Sequence, residues 1–315
     1  MGGIFMSQQM EALSKPTSAS INHSIEQDTR KGWKADLQLS FTDRGDKTVL
    51  KHRSQSGPLA IQRPLYPDGK KCHIYLLHPP GGVVGGDSLN INITIDENAE
   101  VLVTTPGATK FYRSQQRYAK QKQTIYVKKG AQLEWFPQEN IFFPDAHSYL
   151  ETDIILEKDA LFWGWEMHCF GRPAQNECFN AGQIYGRTKI VIEKETVLTE
   201  SLSFTGGDNS MIKNGLLNKP MSASLYFTSK DQGDLELVQD LLNQVKILFM
   251  KQKNLSLKEM NRTMILGVTQ IDKLIVIRAL AEWSEDILMA FTHIWQHVKQ
   301  AHTEERPEIP RIWLT

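Results

Sequence analysis

The chain has 315 residues, 40% hydrophobic and 23% charged, enough for one large or two modest globular domains. Lys plus Arg and Asp plus Glu each total 36, so no net field draws it to nucleic acid or to an anionic membrane surface. Three cysteines, Cys72, Cys169 and Cys178, contain no CxxC pair. They argue against a secreted disulfide framework and a zinc ribbon, and point to a reducing cytoplasm.

Residues 1–31 hold no basic segment followed by a secretory apolar stretch, and position 6 is Met where N-myristoylation needs Ser or Thr. The polar, Ser- and Gln-rich run Ser7 to Arg30 predicts a mobile N-terminal extension over 1–31, ahead of a folded region over 32–315. No apolar run approaches the ~18 residues of a membrane span.

From Gly32 the pattern changes. Trp33, Ala35, Leu37, Leu39 and Phe41 alternate with polar residues, the period of a half-buried strand. The cluster Asp43-Arg44-Gly45-Asp46 leads into Thr48-Val49-Leu50 and predicts a hairpin. Leu89, Ile91, Ile93 and Ile95 alternate in the same way, and Asp96-Glu97-Asn98 turns the chain into Val101-Leu102-Val103. Residues 32–205 read as strand-rich and 206–315 as mixed.

A weak repeat places Ala99-x-Val101-x-Val103, Ala131-x-Leu133-x-Trp135 and Ala160-x-Phe162 at offsets of 32 and 29 residues. Such spacing suggests stacked strand layers rather than a doubly wound sheet. Layering brings Thr104-Thr105, Gln138-Glu139 and Glu166 to comparable strand ends, where they could face one cavity.

In the C-terminal third, Asp234 caps a helix carrying Leu237, Val238, Leu241, Leu242, Val245 and Leu248 on one face. A second helix follows Ser284, with Glu285 and Asp286 at its positive end and Ile287, Leu288, Phe291, Ile294, Trp295 and Val298 on its apolar face. Met264 to Val268 and Leu274 to Ile277 read as a strand pair between them. The fold class is mainly β, with stacked strands and a minor helical part in the C-terminal third.

Gly81-x-x-x-x-Gly86-Asp87-Ser88 has P-loop spacing with one residue changed. Where that loop needs a Lys to neutralise phosphates, Asp87 supplies repulsion. The remaining reading is a turn of four glycines at positive φ that offers one carboxylate. His293-x-x-x-His297 could chelate a metal from one helical face but lacks the Glu of HExxH, and a solvated face is expected. His78, His168-Cys169 and Cys72-His73 have no spacing that links them into a soft site, so separate packing roles are expected. Ile312, Trp313 and Leu314 make an apolar tail, expected to pack on the chain's own core.

Several strings together are specific. LLHPPGGVVGGD at Leu76 to Asp87, TTPGATKFYRS at Thr104 to Ser114, LEWFPQE at Leu133 to Glu139, GRP at Gly171 to Pro173 and the terminal PRIWLT resemble the UreD (UreD/UreH) family of urease accessory proteins. The motif residues are His78, Pro79, Pro80, Gly81, Gly82, Gly85 and Gly86, then Thr105, Pro106, Gly107, Lys110, Tyr112 and Arg113. The resemblance covers nearly all of Gly32 to Thr315, departing mainly in the N-terminal extension and at Asp208 to Lys219.

That resemblance implies a non-enzymatic, β-helix-like chaperone in the cytoplasm. Its partners would be UreF, UreG through UreF, and apo-urease, with a dimeric arrangement in the accessory complex left open. It implies no tightly bound cofactor, and transient Ni(II) carried past acidic residues at positions Asp87, Glu166 and Glu200. Sparse carboxylates suit a cation that must be released, because they bind Ni(II) more weakly than a His or Cys cluster. The alternative is a metal-dependent hydrolase using Asp87, Glu139 and Glu166, for which the chain shows no catalytic signature.

Overall fold

The computed structural model describes residues 32–314, so the expected N-terminal extension lies outside the described residues. The alternation after Gly32 forms β1 (Lys34–Asp43), which turns at Asp43 and pairs antiparallel with β2 (Thr48–Ser56). Ala35, Leu37, Leu39 and Phe41 are buried, but Trp33 lies before the strand and is 65% exposed. The short β3 (Ala60–Ile61) then leads to β4 (Cys72–Leu77).

From there the chain winds as a solenoid with two long faces. One face receives β5 (Ser88–Ile95) and the opposite face β6 (Glu100–Thr104), with β7 (Thr109–Phe111) at the corner. The next turn is β8 (Ala119–Val127), β9 (Gln132–Phe136) and β10 (Asn140–Phe142). The third is β11 (Ala146–Leu156) and the long β12 (Leu161–Arg172), followed by β13 (Glu177–Cys178). Then β14 (Gly182–Ile192) and β15 (Glu195–Thr205) close the first face antiparallel, and β16 (Met221–Thr228) crosses to the second.

The first sheet therefore runs β15-β14-β11-β8-β5-β1-β2, with β1, β5, β8, β11 and β14 parallel. The Ala repeat is the register of the second sheet. Gln132 N–H donates to Ala99 O and Leu161 N–H to Ala131 O, so Ala99, Ala131 and Ala160 stack at one buried corner. A small side chain at each turn lets successive coils sit at sheet spacing.

Next come α1 (Asp234–Lys253) and α2 (Leu257–Thr263). They are followed by β17 (Met264–Ile271), β18 (Leu274–Ala281) and α3 (Ser284–Thr303). β18 and β17 extend the second sheet beyond β16. The inner side of that sheet packs on the first sheet through residues such as Val103, Leu133 and Phe162. Its outer side carries Phe136, Trp163, Trp165 and Ile277 against the helices. The result is sheet, sheet and helix in three layers with two cores.

The helical face differs from expectation in two places. Leu248 is 43% exposed while Phe249 is fully buried, one position round the helix. The Asp234 carboxylate reaches back to the N–H groups of Lys230 and Asp231 as the helix's first residue, with Gly233 at the cap position. No helix among the described residues is long and apolar enough to cross a membrane.

Candidate functional site

Between the two sheets lies a cavity of about 490 Å³. Its polar floor follows from strand register. Gln123, Thr152, Thr188 and Glu200 are successive neighbours on β8, β11, β14 and β15, so they form one rank along the solenoid axis. On the opposite sheet Glu166, Ser224 and Arg278 are neighbours on β12, β16 and β18. Gln123, Thr152 and Thr188 are buried, and both carboxylates are partly buried.

Side chains bridge the ranks. Thr152 Oγ1 donates to Glu166 Oε1 at 2.7 Å and Thr188 Oγ1 to Oε2 at 2.6 Å, so each carboxylate oxygen accepts one hydroxyl. Thr152 also has Gln123 Oε1 at 3.4 Å, a second acceptor to which its hydroxyl can turn. Glu200 Oε2 accepts from Tyr226 Oη at 2.6 Å, and Oε1 accepts from Arg278 Nε at 2.9 Å and from Nη2. Burial, then the nearby Glu166 and Glu200 charges, hold the Tyr226 phenol well above its usual pKa, which keeps it a donor. His168, two residues from Glu166 and also on the cavity wall, is pushed down by burial against the pull of Glu166. Its neutral ring has Asn140 Nδ2 at 3.5 Å from Nδ1.

Of the expected layered polar groups, Thr105, Gln138 and Glu166 line this cavity. Thr104 instead donates to the Phe136 carbonyl, and Glu139 sits beside Ser284 and Glu285 at the start of α3. Six motif residues, His78, Gly81, Gly82, Thr105, Pro106 and Gly107, form the end of the cavity remote from Arg278. Pro79, Pro80, Lys110 and Arg113 are exposed. Tyr112 packs edge-on against Phe143 at 4.8 Å.

The glycine loop is a fitted corner. Gly81 and Gly86 have positive φ, whereas Gly82 and Gly85 do not. A Cβ on Gly82 would meet the Tyr112 ring at 2.3 Å, so that glycine is required for close approach rather than conformation. The N–H groups of Gly81, Val83, Gly86 and Asp87 donate to the carbonyls of His78, Lys110, Tyr118 and Val84, leaving none of these four for a phosphate.

Asp87 does not present its carboxylate outward. Oδ1 accepts from Trp33 N–H at 2.9 Å and Oδ2 from Val84 N–H at 3.0 Å, and the residue is 7% exposed and off the cavity wall. It clasps the loop to the start of β1. The sequence shows the carboxylate but not these donors, which are backbone groups of distant or neighbouring residues.

Asp87, Glu139 and Glu166 therefore occupy three separate places, and the geometry gives the hydrolase alternative no site. Among the described residues no group of three or more His, Cys, Asp or Glu side chains is placed to hold a metal ion. Cys169 lies in the core on the helix side of its sheet, away from His168. The His293 and His297 rings do not form the expected solvated face. They are half-buried with centroids 3.9 Å apart, and burial, with His297 and Arg306 adding to it, pushes His293 down to about 4. Trp313 packs on the chain's own aromatic core against Phe136, Trp165 and Trp295, while Leu314 is 76% exposed.

Residues 34–314 match the family described as UreD urease accessory protein. The chain is 45% identical over 284 residues to an Aliivibrio fischeri protein named urease accessory protein UreD, covering 90% of this chain and 97% of that one. Proteins of the same name from Escherichia coli and Klebsiella aerogenes are 40% and 35% identical, over 90% and 91% of this chain and 98% of each relative.

Proposed function

The chain belongs to the UreD family of urease accessory proteins, and from that premise we propose that it serves urease maturation as a non-catalytic scaffold. In this reading it binds UreF, reaches the GTPase UreG through UreF, and docks on apo-urease so that Ni(II) passes through its interior. A cytoplasmic setting belongs to the same reading, as does a dimeric arrangement within the accessory complex.

The observation that carries it is the cavity with Glu166 and Glu200 on facing walls. Ni(II) is cargo here, and cargo must be attracted and then released. A carboxylate held by neutral hydroxyls, as Glu166 is, meets both demands, because the negative charge draws the cation while few oxygen donors bind it weakly. When Thr152 turns to Gln123, an oxygen of Glu166 is free to meet the ion. The neutral ring of His168 stands on the same wall as a second weak donor. Asp87, whose oxygens already hold two backbone N–H groups, acts in this account by fixing the corner of the cavity.

Deleting the gene and measuring the nickel content of purified urease tests the reading. Nickel-poor, inactive urease that regains metal when the gene is restored is the outcome expected. Fully active urease in the deletion strain at ordinary nickel concentrations would remove it.

A further inference from the structure

We infer that Arg278 is a charge latch on the Glu200 end of the cavity, keeping divalent cations weakly held there until its guanidinium swings away. This rests on the transit reading above and names how that path is regulated.

The geometry begins at the sheet edges. Glu200 lies on β15, the edge strand of the first sheet, and Arg278 on β18, two strands beyond β12 in the second. Their ion pair therefore spans the gap where the solenoid faces part company. Arg278 places two N–H groups on one oxygen of Glu200, and Tyr226 occupies the other. With the latch closed, Glu200 has little left to offer a cation, and its charge is cancelled by its neighbour.

Glu166 differs in kind. Its partners are two neutral hydroxyls, which can rotate, so its negative charge stays uncompensated inside the cavity. A cation entering from the glycine-loop end would meet Glu166 first and Arg278 beyond it. Register strengthens the contrast, since Glu166, Ser224 and Arg278 are adjacent across three strands and project into one layer.

Arg278 is also able to leave. Its side chain is 48% exposed against 26% for Glu200, so the guanidinium can exchange the carboxylate for water. Tyr226, 2% exposed, cannot follow it. Opening thus frees one Glu200 oxygen and leaves the other anchored. The second lining arginine, Arg187, pairs with Asp153 and with Glu151, which also lines the cavity, rather than with Glu166 or Glu200.

A divalent ion within about 6 Å of a guanidinium in a water-like dielectric is disfavoured by roughly a factor of ten. Equilibrium dialysis of Ni(II) alone against the full chain at pH 7.5 reads this directly. Arg278→Gln should bind Ni(II) about tenfold more tightly than wild type, and Arg278→Lys, which keeps the charge, should stay near wild type. Adding Glu200→Gln to Arg278→Gln should abolish the gain. Unfolding midpoints of all variants verify that the fold is kept.

Wild-type affinity in Arg278→Gln, or a gain that survives Glu200→Gln, overturns the latch. Urease activation by Glu166→Gln/Glu200→Gln separates the two claims. Undiminished activation removes the transit reading itself, whereas impaired activation with unchanged nickel affinity in Arg278→Gln removes the latch alone.

Discussion

Glu134 is fully buried between the second sheet and α3, and it is the anchor through which the helices hold the solenoid. Its Oε2 accepts from Lys71 Nζ at 2.8 Å, while Lys299 Nζ lies 3.1 Å and Trp295 Nε1 3.3 Å from Oε1. Burial alone would raise its pKa, but the two ammonium groups outweigh burial and take it from 4.5 to about 2. A depression of that size corresponds to about 3 kcal/mol of stability at neutral pH. Because the folded value lies below the unfolded one, this contribution is complete above pH of about 4.5 and is lost as pH falls toward about 2.

Glu134→Gln removes the charge and leaves two ammonium groups together, for which about 3–5 kcal/mol is the usual penalty. Burial and Lys71 already depress Lys299 despite Glu134, so Lys299→Met in the Gln variant should restore part of the loss, at least about 1 kcal/mol. Urea unfolding followed by tryptophan fluorescence measures both, and thermal midpoints should fall by roughly 5–10 °C in the single variant. A loss under about 1 kcal/mol, or no recovery on removing Lys299, would refute the assignment of Glu134 as the charge that compensates Lys71 and Lys299.

Asp87→Ala removes two charge-assisted acceptors of backbone N–H groups and should cost about 2–4 kcal/mol, while urease activation per folded molecule stays near wild type. Activation that collapses with stability intact would put Asp87 on the nickel path instead. Trp313→Ala should lower the urea midpoint by the equivalent of about 2–3 kcal/mol, because the indole packs on three aromatic rings and donates to Thr104 Oγ1. An unchanged midpoint would mean that the tail does not contribute to the fold.

The coils of the solenoid were legible because one physical requirement repeats. A small residue is needed where each turn folds over the last, and Ala99, Ala131 and Ala160 carry it at offsets that became the register. The same layering placed Thr105, Gln138 and Glu166 on one cavity. Thr188, Tyr226 and Arg278 are not legible, since their neighbourhood depends on a longer connection through β13 and on strands that reverse direction. Only the family resemblance points to Glu200.

Glu134 lay unmarked inside LEWFPQE, for alternation gives a residue's face but not the lysines that neutralise it. The α2 helix is not legible from its period although Ser256 and Glu259 form a capping box, because seven residues are too few for the period to register. The carboxylate of Asp87 looks open in the sequence because the N–H of Trp33, 54 residues earlier, is what closes it.

The central claim is that Glu166 and Glu200 on the cavity wall conduct nickel, and the most direct test replaces both while preserving shape. Urease co-produced with Glu166→Gln/Glu200→Gln at limiting nickel should contain several-fold less metal and show proportionately lower activity, with the variant as abundant and as stable as wild type. Urease fully loaded with nickel under those conditions would contradict the account.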